Sequence, residues 1–290
     1  MTTARTNDVH VGRYYGECEI EITPALVQHY ADAVQDFNPW YFGDSPFGGP
    51  VAPALILHSE VYRSIDWYLS IIGNLHARQE WELFGPVMVG DTVIARRQIV
   101  DRYRRRDRDY VVNETSVYAA DGRILNRGRT HQSFLINTDV KGDVVDKERE
   151  KRADRRFEAE EEAILEELSG AEKEITLEMC QKFSGPHKNY HTDREEARRL
   201  GFPDIVVQGM MSLCFLSQMM TDRFGAGWFT GGKMNVALVN VLWQGERVRA
   251  KGSVTGESEE GPRKRLQARV WCEKADGTKI VVGAAGALTE

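Results

Sequence analysis

Along this chain the spacing of apolar and polar positions changes in a set order, and the order occurs twice. The first half opens on "EITPALVQHYADAVQDFNPWYF" and the second on "EITLEMCQKFSGPHKNYHTD", each a short helix-like run leading into a loop. Next come "GGPVAPALILHSEVYRSI" and "DIVVQGMMSLCFLSQMM", both apolar over a length that predicts a buried helix. Strand-like runs with a matching turn follow, "GPVMVGDTVIARRQIV" and "NVLWQGERVRAKGSV". Each half closes on alternating segments around an Asp-Gly turn, Asp121-Gly122 and Asp276-Gly277, which predicts a hairpin. The fold class expected is therefore α+β, an antiparallel sheet wrapped around one apolar helix, built twice.

Between the halves, from about Val140 to Glu174, the pattern disappears. The run "DKEREKRADRRFEAEEEAILEELSG" is almost wholly charged, has no proline, and carries opposite charges four residues apart. That composition predicts an exposed connecting helix or linker. The expected organisation is an N-terminal domain over 1–140, a linker over 141–172 and a C-terminal domain over 173–290.

Composition narrows the class. A length of 290 residues suits two ordinary domains, and 41% hydrophobic with 28% charged residues is that of a soluble globular protein. No run approaches the roughly 18 apolar residues of a membrane span, and "MTTARTNDVHVGRYYGE" has no apolar signal core. Cys18, Cys180, Cys214 and Cys272 lie far apart without CxxC spacing, against zinc or a disulfide framework and in keeping with the cytoplasm. A net charge of -6 disfavours nucleic acid, and the basic run "DRYRRRDRDY" is interleaved with aspartates.

The motifs resemble those of the MaoC-like dehydratases, or (R)-specific enoyl-CoA hydratases, which have the hotdog fold. Their pattern is D-x-N-P-x-H, a short helix, then V/I-x-H-G-M at the start of a central helix. Here "DFNPWY" keeps Asp36, Asn38 and Pro39, with Tyr41 at the histidine position. "GPHKNYHTD" keeps the histidine as His191, with Pro186 at the aspartate position and Lys188-Asn189 for Asn-Pro. "HTDREEARRLGFPDIVVQGMM" matches closely, with Gln208 at the turn histidine. The resemblance spans nearly the whole chain outside the linker. It implies a double hotdog in which one half keeps the chemistry and the other, degenerate half shapes the acyl pocket.

Water addition to an enoyl thioester needs a proton-transfer group, a donor for the carbonyl oxygen and an apolar slot. The resemblance makes His191 the base and acid, and the N–H at Gly209 the carbonyl donor. Residues of the helix's first turn carry unpaired N–H groups at a positive dipole end, and glycine lets an oxygen come close. The corresponding position in the first half is Pro53, which has no N–H. With Pro186 unable to carry a proton, the second group is sought in His187, in Asn189 or Tyr190 holding water, or in Asp36 from the other half. Asp193 reads as a helix cap. Tyr190, Gln208, Met210 and Trp81 are the candidate substrate contacts, the last in an aromatic segment with Trp67, Tyr68 and Phe84. His187 and His191 have metal-pair spacing only on a helix, and Gly185-Pro186 argues for a loop.

The expected function is reversible hydration of a 2-enoyl thioester, of coenzyme A, with no cofactor and no metal. The alternatives are a thioesterase, isomerase or secondary-metabolite dehydratase on the same fold, or a non-catalytic acyl-binding subunit. The expected partner is a second copy, as a homodimer or larger oligomer, or a homologous subunit.

Overall fold

The computed structural model of the chain describes residues 9–62, 74–136 and 163–289. In the N-terminal half lie β1 (Tyr14–Glu21), α1 (Pro24–Val34), β2 (Leu75–Leu83), β3 (Thr92–Arg105), β4 (Arg108–Tyr118) and β5 (Ile124–Leu135). The C-terminal half holds β6 (Glu166–Glu174), α2 (Leu177–Ser184), α3 (Arg194–Arg199), α4 (Gly209–Phe224) and α5 (Ala226–Gly231). It ends with β7 (Lys233–Leu238), β8 (Arg247–Glu260), β9 (Arg263–Lys274) and β10 (Lys279–Leu288).

All the strands join one 10-stranded antiparallel sheet in the order β1-β3-β4-β5-β2-β7-β10-β9-β8-β6. Read from each outer edge inward, the two halves have the same order, so the repeat in the sequence is a repeat in topology. They meet at β2 and β7, from Arg78 opposite Ala237 to Glu82 opposite Lys233.

Local chemistry repeats as well. Thr23 and Thr176 cap α1 and α2, their hydroxyls accepting from Leu26 N–H at 3.1 Å and Met179 N–H at 3.2 Å. Just before each cap, Ile22 and Ile175 accept from the N–H of Gly90 and Gly245, both at positive φ, fastening each helix entry to its turn. Both Asp-Gly turns form as expected, with Gly122 and Gly277 at φ 87° and each aspartate accepting from an N–H two residues on.

The halves differ in the middle. In the second half α4 is the central helix, with Met210, Met211, Leu213, Cys214, Phe215, Leu216, Met219 and Met220 all buried. In the first half the helix expected from "GGPVAPALILHSEVYRSI" is, as far as it is described, a buried turn and a short 3₁₀ segment over His58–Tyr62. Pro50 and Pro53 cannot donate to a helical ladder, and Ile56 N–H bonds back to Pro53 at i→i+3 instead. The remainder of that segment, and Trp67 and Tyr68 just after it, lie outside the described residues. So does most of the expected linker; its end, from Glu166, is edge strand β6 paired with β8, not helix.

The halves also interlock away from the seam. Lys173, on β6, is 5% exposed and donates to the carbonyls of Val34 at 2.5 Å and Gln35 at 2.7 Å. These are orphan carbonyls at the C-terminus of α1, where a cation also suits the helix dipole. Lys173 lies near Asp36 and Asp222 and over the Phe215 ring at 5.0 Å. Nearby, His58 stacks on Phe183 with centroids 4.1 Å apart.

Removing Lys173 strips buried carbonyls of a charged donor, so Lys173→Ala is expected to cost about 2–3 kcal/mol of unfolding free energy. Denaturant melts measure it; a change under about 0.5 kcal/mol, the size of an ordinary surface substitution, would show that the lysine does not fasten the halves.

Candidate active site

The loop between α2 and α3 is set by Asn189. Its Oδ1 accepts from His191 N–H at 2.8 Å, and its Nδ2 donates to the carbonyls of Ser184 at 2.9 Å and His187 at 3.0 Å. All of its side-chain polar atoms are thus spent on the backbone, so Asn189 shapes the loop and has no free group to hold a water. Thr192 reinforces the turn, its hydroxyl donating to His187 O at 3.2 Å and accepting from Asn189 N–H at 3.0 Å. His187 enters through its carbonyl, while its side chain is exposed. Asp193 caps α3, Oδ1 accepting from the N–H of Glu195 at 2.9 Å and Glu196 at 3.2 Å.

His191 sits partly buried, its Nδ1 2.7 Å from the carbonyl of Val206. A carbonyl only accepts, so Nδ1 carries the proton and the neutral ring keeps a lone pair on Nε2. Burial lowers the ring to about 4, against the Val206 bond that raises it. At neutral pH His191 is therefore a base. Tyr190 packs against it with centroids 3.8 Å apart and stacks on Phe202 at 5.6 Å. Burial pushes the Tyr190 hydroxyl up to about 12, so it stays protonated.

Val206 lies three residues before Gly209, the first residue of α4, so the base is anchored to the strand of chain that delivers the helix terminus. Gln208, the N-cap residue, makes no cap hydrogen bond, and its Oε1 is buried without a hydrogen-bond partner. At Gly209 space is short: a methyl there would lie 2.4 Å from Leu238 Cδ2 and 3.3 Å from His76 Nδ1. Glycine fits because the chain is this close to β7 and β2. Met210 follows, fully buried in the core.

His76, on β2 of the N-terminal half, is the residue the sequence did not single out. Burial lowers its ring to about 4, and Gln79 hydrogen-bonds it. Gln79 is in turn held by Thr130 Oγ1 at 2.7 Å and by Glu80 O at 2.9 Å. The histidine was visible in "IIGNLHARQEWELFG", but its place at Gly209 depends on strand pairing across the chain.

Trp81, five residues after His76 on β2, is a core side chain, 3% exposed, paired between Gly128 and Met234. The first-half motif is buried at Asp36 and Tyr41 and half-buried at Asn38: Tyr41 donates to Asp36 Oδ2 at 3.0 Å, and Asn38 Oδ1 accepts from Trp40 N–H at 3.0 Å. Burial raises Asp36 to about 6, against the pull of Tyr41 and Lys173. Asp36 is thus held within its own half.

Two clefts among the described residues lie elsewhere. One of about 320 Å³ runs over the seam, lined by Glu80, Glu82, Arg127, Arg129 and Lys233 among others. The other, about 570 Å³, lies between Asn38–Trp40 and the C-terminal end of α4. Neither is lined by His191 or Gly209, the candidate base and helix terminus named from the sequence. Among the described residues no three of His, Cys, Asp and Glu gather as metal ligands. No helix among them is long and apolar enough to cross a membrane.

Residues 148–287 match the family described as "MaoC like domain", and residues 9–127 match "FAS1-like, dehydratase domain region". No curated protein matches the chain. A solved structure of a MaoC-like dehydratase superposes with a TM-score of 0.76 at 17% identity, over 98% of this chain and 99% of its own. A MaoC-like dehydratase from Phytophthora capsici gives 0.71 at 15% identity, over 99% of each chain. A Mycobacterium tuberculosis protein described as a double hotdog gives 0.64 at 11% identity, over 97% of each. The architecture is the double hotdog.

His58, His76 and His191 are all lowered to about 4 by burial. In the unfolded chain they titrate near their ordinary value, so between about pH 4 and 6.5 the unfolded state binds more protons and stability rises with pH. Asp36, raised to about 6, acts in the opposite sense and offsets part of one histidine. Lowering the pH from about 7 to 5.5 is expected to remove about 2–3 kcal/mol, read from denaturant midpoints; a flat profile would contradict the buried neutral rings.

Proposed function

Because the chain belongs to the MaoC-like dehydratase family, we propose that it adds water to, or removes it from, a 2-enoyl/3-hydroxyacyl thioester of coenzyme A. The observation that carries this reading is the Nδ1–H bond of His191 to the carbonyl of Val206, three residues before α4, which leaves the Nε2 lone pair free to take a proton. In the hydration direction, Nε2 takes a proton from water while the water oxygen bonds to the β-carbon. The C=C electrons move toward the thioester carbonyl, whose oxygen accepts hydrogen bonds from the N–H groups of the first turn of α4. The imidazolium then returns the same proton to the α-carbon. One base balances the reaction, which is how the chemistry survives Pro186 in place of an acid.

In this reading the C-terminal half carries the chemistry and the N-terminal half lines the acyl site. The likeness of the peroxisomal multifunctional enzyme type 2 of Drosophila melanogaster is one of fold: its TM-score is 0.66 at 16% identity, over 94% of this chain and 48% of that one. A homo-oligomer is the proposed assembly. Pro186 also leaves room for a second reading, an elimination from a more activated substrate that a single base can run alone.

Incubation with crotonyl-CoA and longer enoyl-CoAs, followed by loss of enoyl-thioester absorbance, tests the proposal. His191→Ala is expected to lower kcat by about 10²–10⁴-fold. Because the base stays unprotonated, kcat/KM is expected to vary less than about twofold from pH 5.5 to 7. Turnover that survives in His191→Ala, or none with any thioester, would remove this assignment.

A further inference from the structure

We infer that the cleft between Asn38–Trp40 and the C-terminal end of α4 binds an aliphatic primary amine, its ammonium held by Asp222 and Thr221. The inference is independent of the thioester reading. The whole of α4, 16 residues or about 24 Å of helix, separates this cleft from Gly209.

The cleft is the larger of the two described above, about 570 Å³, and both halves wall it. Asn38–Trp40 come from the first half, and the last turn of α4 with Leu266 and Leu288 from the second. Three features suit it to a cation. It opens on the carbonyl end of a long helix, where the last turn leaves backbone acceptors and the dipole is negative. Asp222 lines it, solvent-exposed and with no hydrogen bond or ion pair among the described residues. Thr221, by contrast, is 3% exposed and also lines the cleft, and no group of the described chain donates to its hydroxyl oxygen.

The cations already present do not satisfy these acceptors. Lys173 is the one ammonium near both Asp36 and Asp222, and its N–H groups are taken by the carbonyls of Val34 and Gln35. Two carboxylates and one lysine leave one negative charge unmatched. Arg223 also lines the cleft, but both oxygens of Glu166 hold its guanidinium, at 2.6 and 2.8 Å. An ammonium brings three N–H donors, which Asp222, Thr221 and the helix-end carbonyls can accept together. Its hydrocarbon stem then lies against the half-buried Trp40 ring, Leu266 and Leu288. No three metal-ligating side chains gather among the described residues, so the cation that fits is an organic one.

Calorimetric titration of the full chain with n-butylammonium chloride at neutral pH tests the inference, with 1-butanol as the uncharged match. The amine is expected to bind once per chain with a Kd of about 1 mM or tighter, and butanol at least about tenfold more weakly. Because the ligand bridges the two halves, about ten times Kd of amine is expected to raise the thermal midpoint by about 2–5 °C. Asp222→Asn is expected to weaken amine binding about tenfold or more while leaving the unliganded midpoint within about 2 °C. Thr221→Val is expected to weaken it about 3–10-fold. Glu166→Gln, which releases Arg223 beside the cleft, is expected to weaken it through charge alone. Tetramethylammonium, which has the charge but no N–H, is expected to bind about tenfold more weakly than the amine. Equal binding of amine and butanol, or amine binding unchanged in Asp222→Asn, overturns the inference. Tetramethylammonium binding as tightly as the amine overturns the assignment to a primary amine. Since the readout is binding, each outcome is separate from whether the chain hydrates enoyl thioesters.

Discussion

The pairing of β2 with β7 is the constraint on which the rest of the molecule depends. Five residue pairs, Arg78–Ala237 to Glu82–Lys233, turn two five-stranded sheets into one and fix the halves in a single register. A shift of one residue along that seam would turn every inward side chain of one half outward, so the register is enforced by both cores together. Because the seam runs beside the start of α4, the same five pairs set how closely the N-terminal half approaches Gly209. The proposed site is therefore a property of the seam as much as of the loop that carries His191.

The two halves show how one scaffold supports opposite electrostatic solutions. In the second half a glycine opens the central helix and the nearby histidines are kept neutral by burial. In the first half Pro53 stands at the matching position, and Asp36 is closed off by Tyr41 within the interior. The old motif there still has work: Asn38 holds the Trp40 turn, and Asp36 helps to balance the charge of Lys173 where it fastens α1. In this half the motif residues are parts of the joint.

What the sequence revealed was whatever is fixed locally. The matching turns at Gly90 and Gly245 and the Asp-Gly hairpins each depend on residues within a few positions, and all formed as read. The Asn189–Asp193 loop was legible for the same reason. The contact of His76 with Gly209 was not, because it arises from the pairing of β2 with β7, far apart in the chain, and no local period records that. β6 was hidden by composition: as an edge strand it buries little beyond Leu168 and Lys173, so it lacks the apolar alternation that marks a strand. The first-half helix was over-read from hydrophobicity alone, since burial of Val51–Leu57 needs no helix once Pro53 interrupts the ladder.

The outer edges of the sheet carry a consequence of their own. β1 ends in Glu17, Glu19 and Glu21, alternating with inward residues, and β6 carries Glu166, Glu167, Glu172 and Glu174. Each edge offers unpaired backbone groups, but any strand that approached to use them would bring its own charges against a row of carboxylates. Glu17 is paired with Arg96, Glu166 with Arg223, and Glu172 and Glu174 with Arg247, so a strand docking on either described edge would also have to displace those ion pairs.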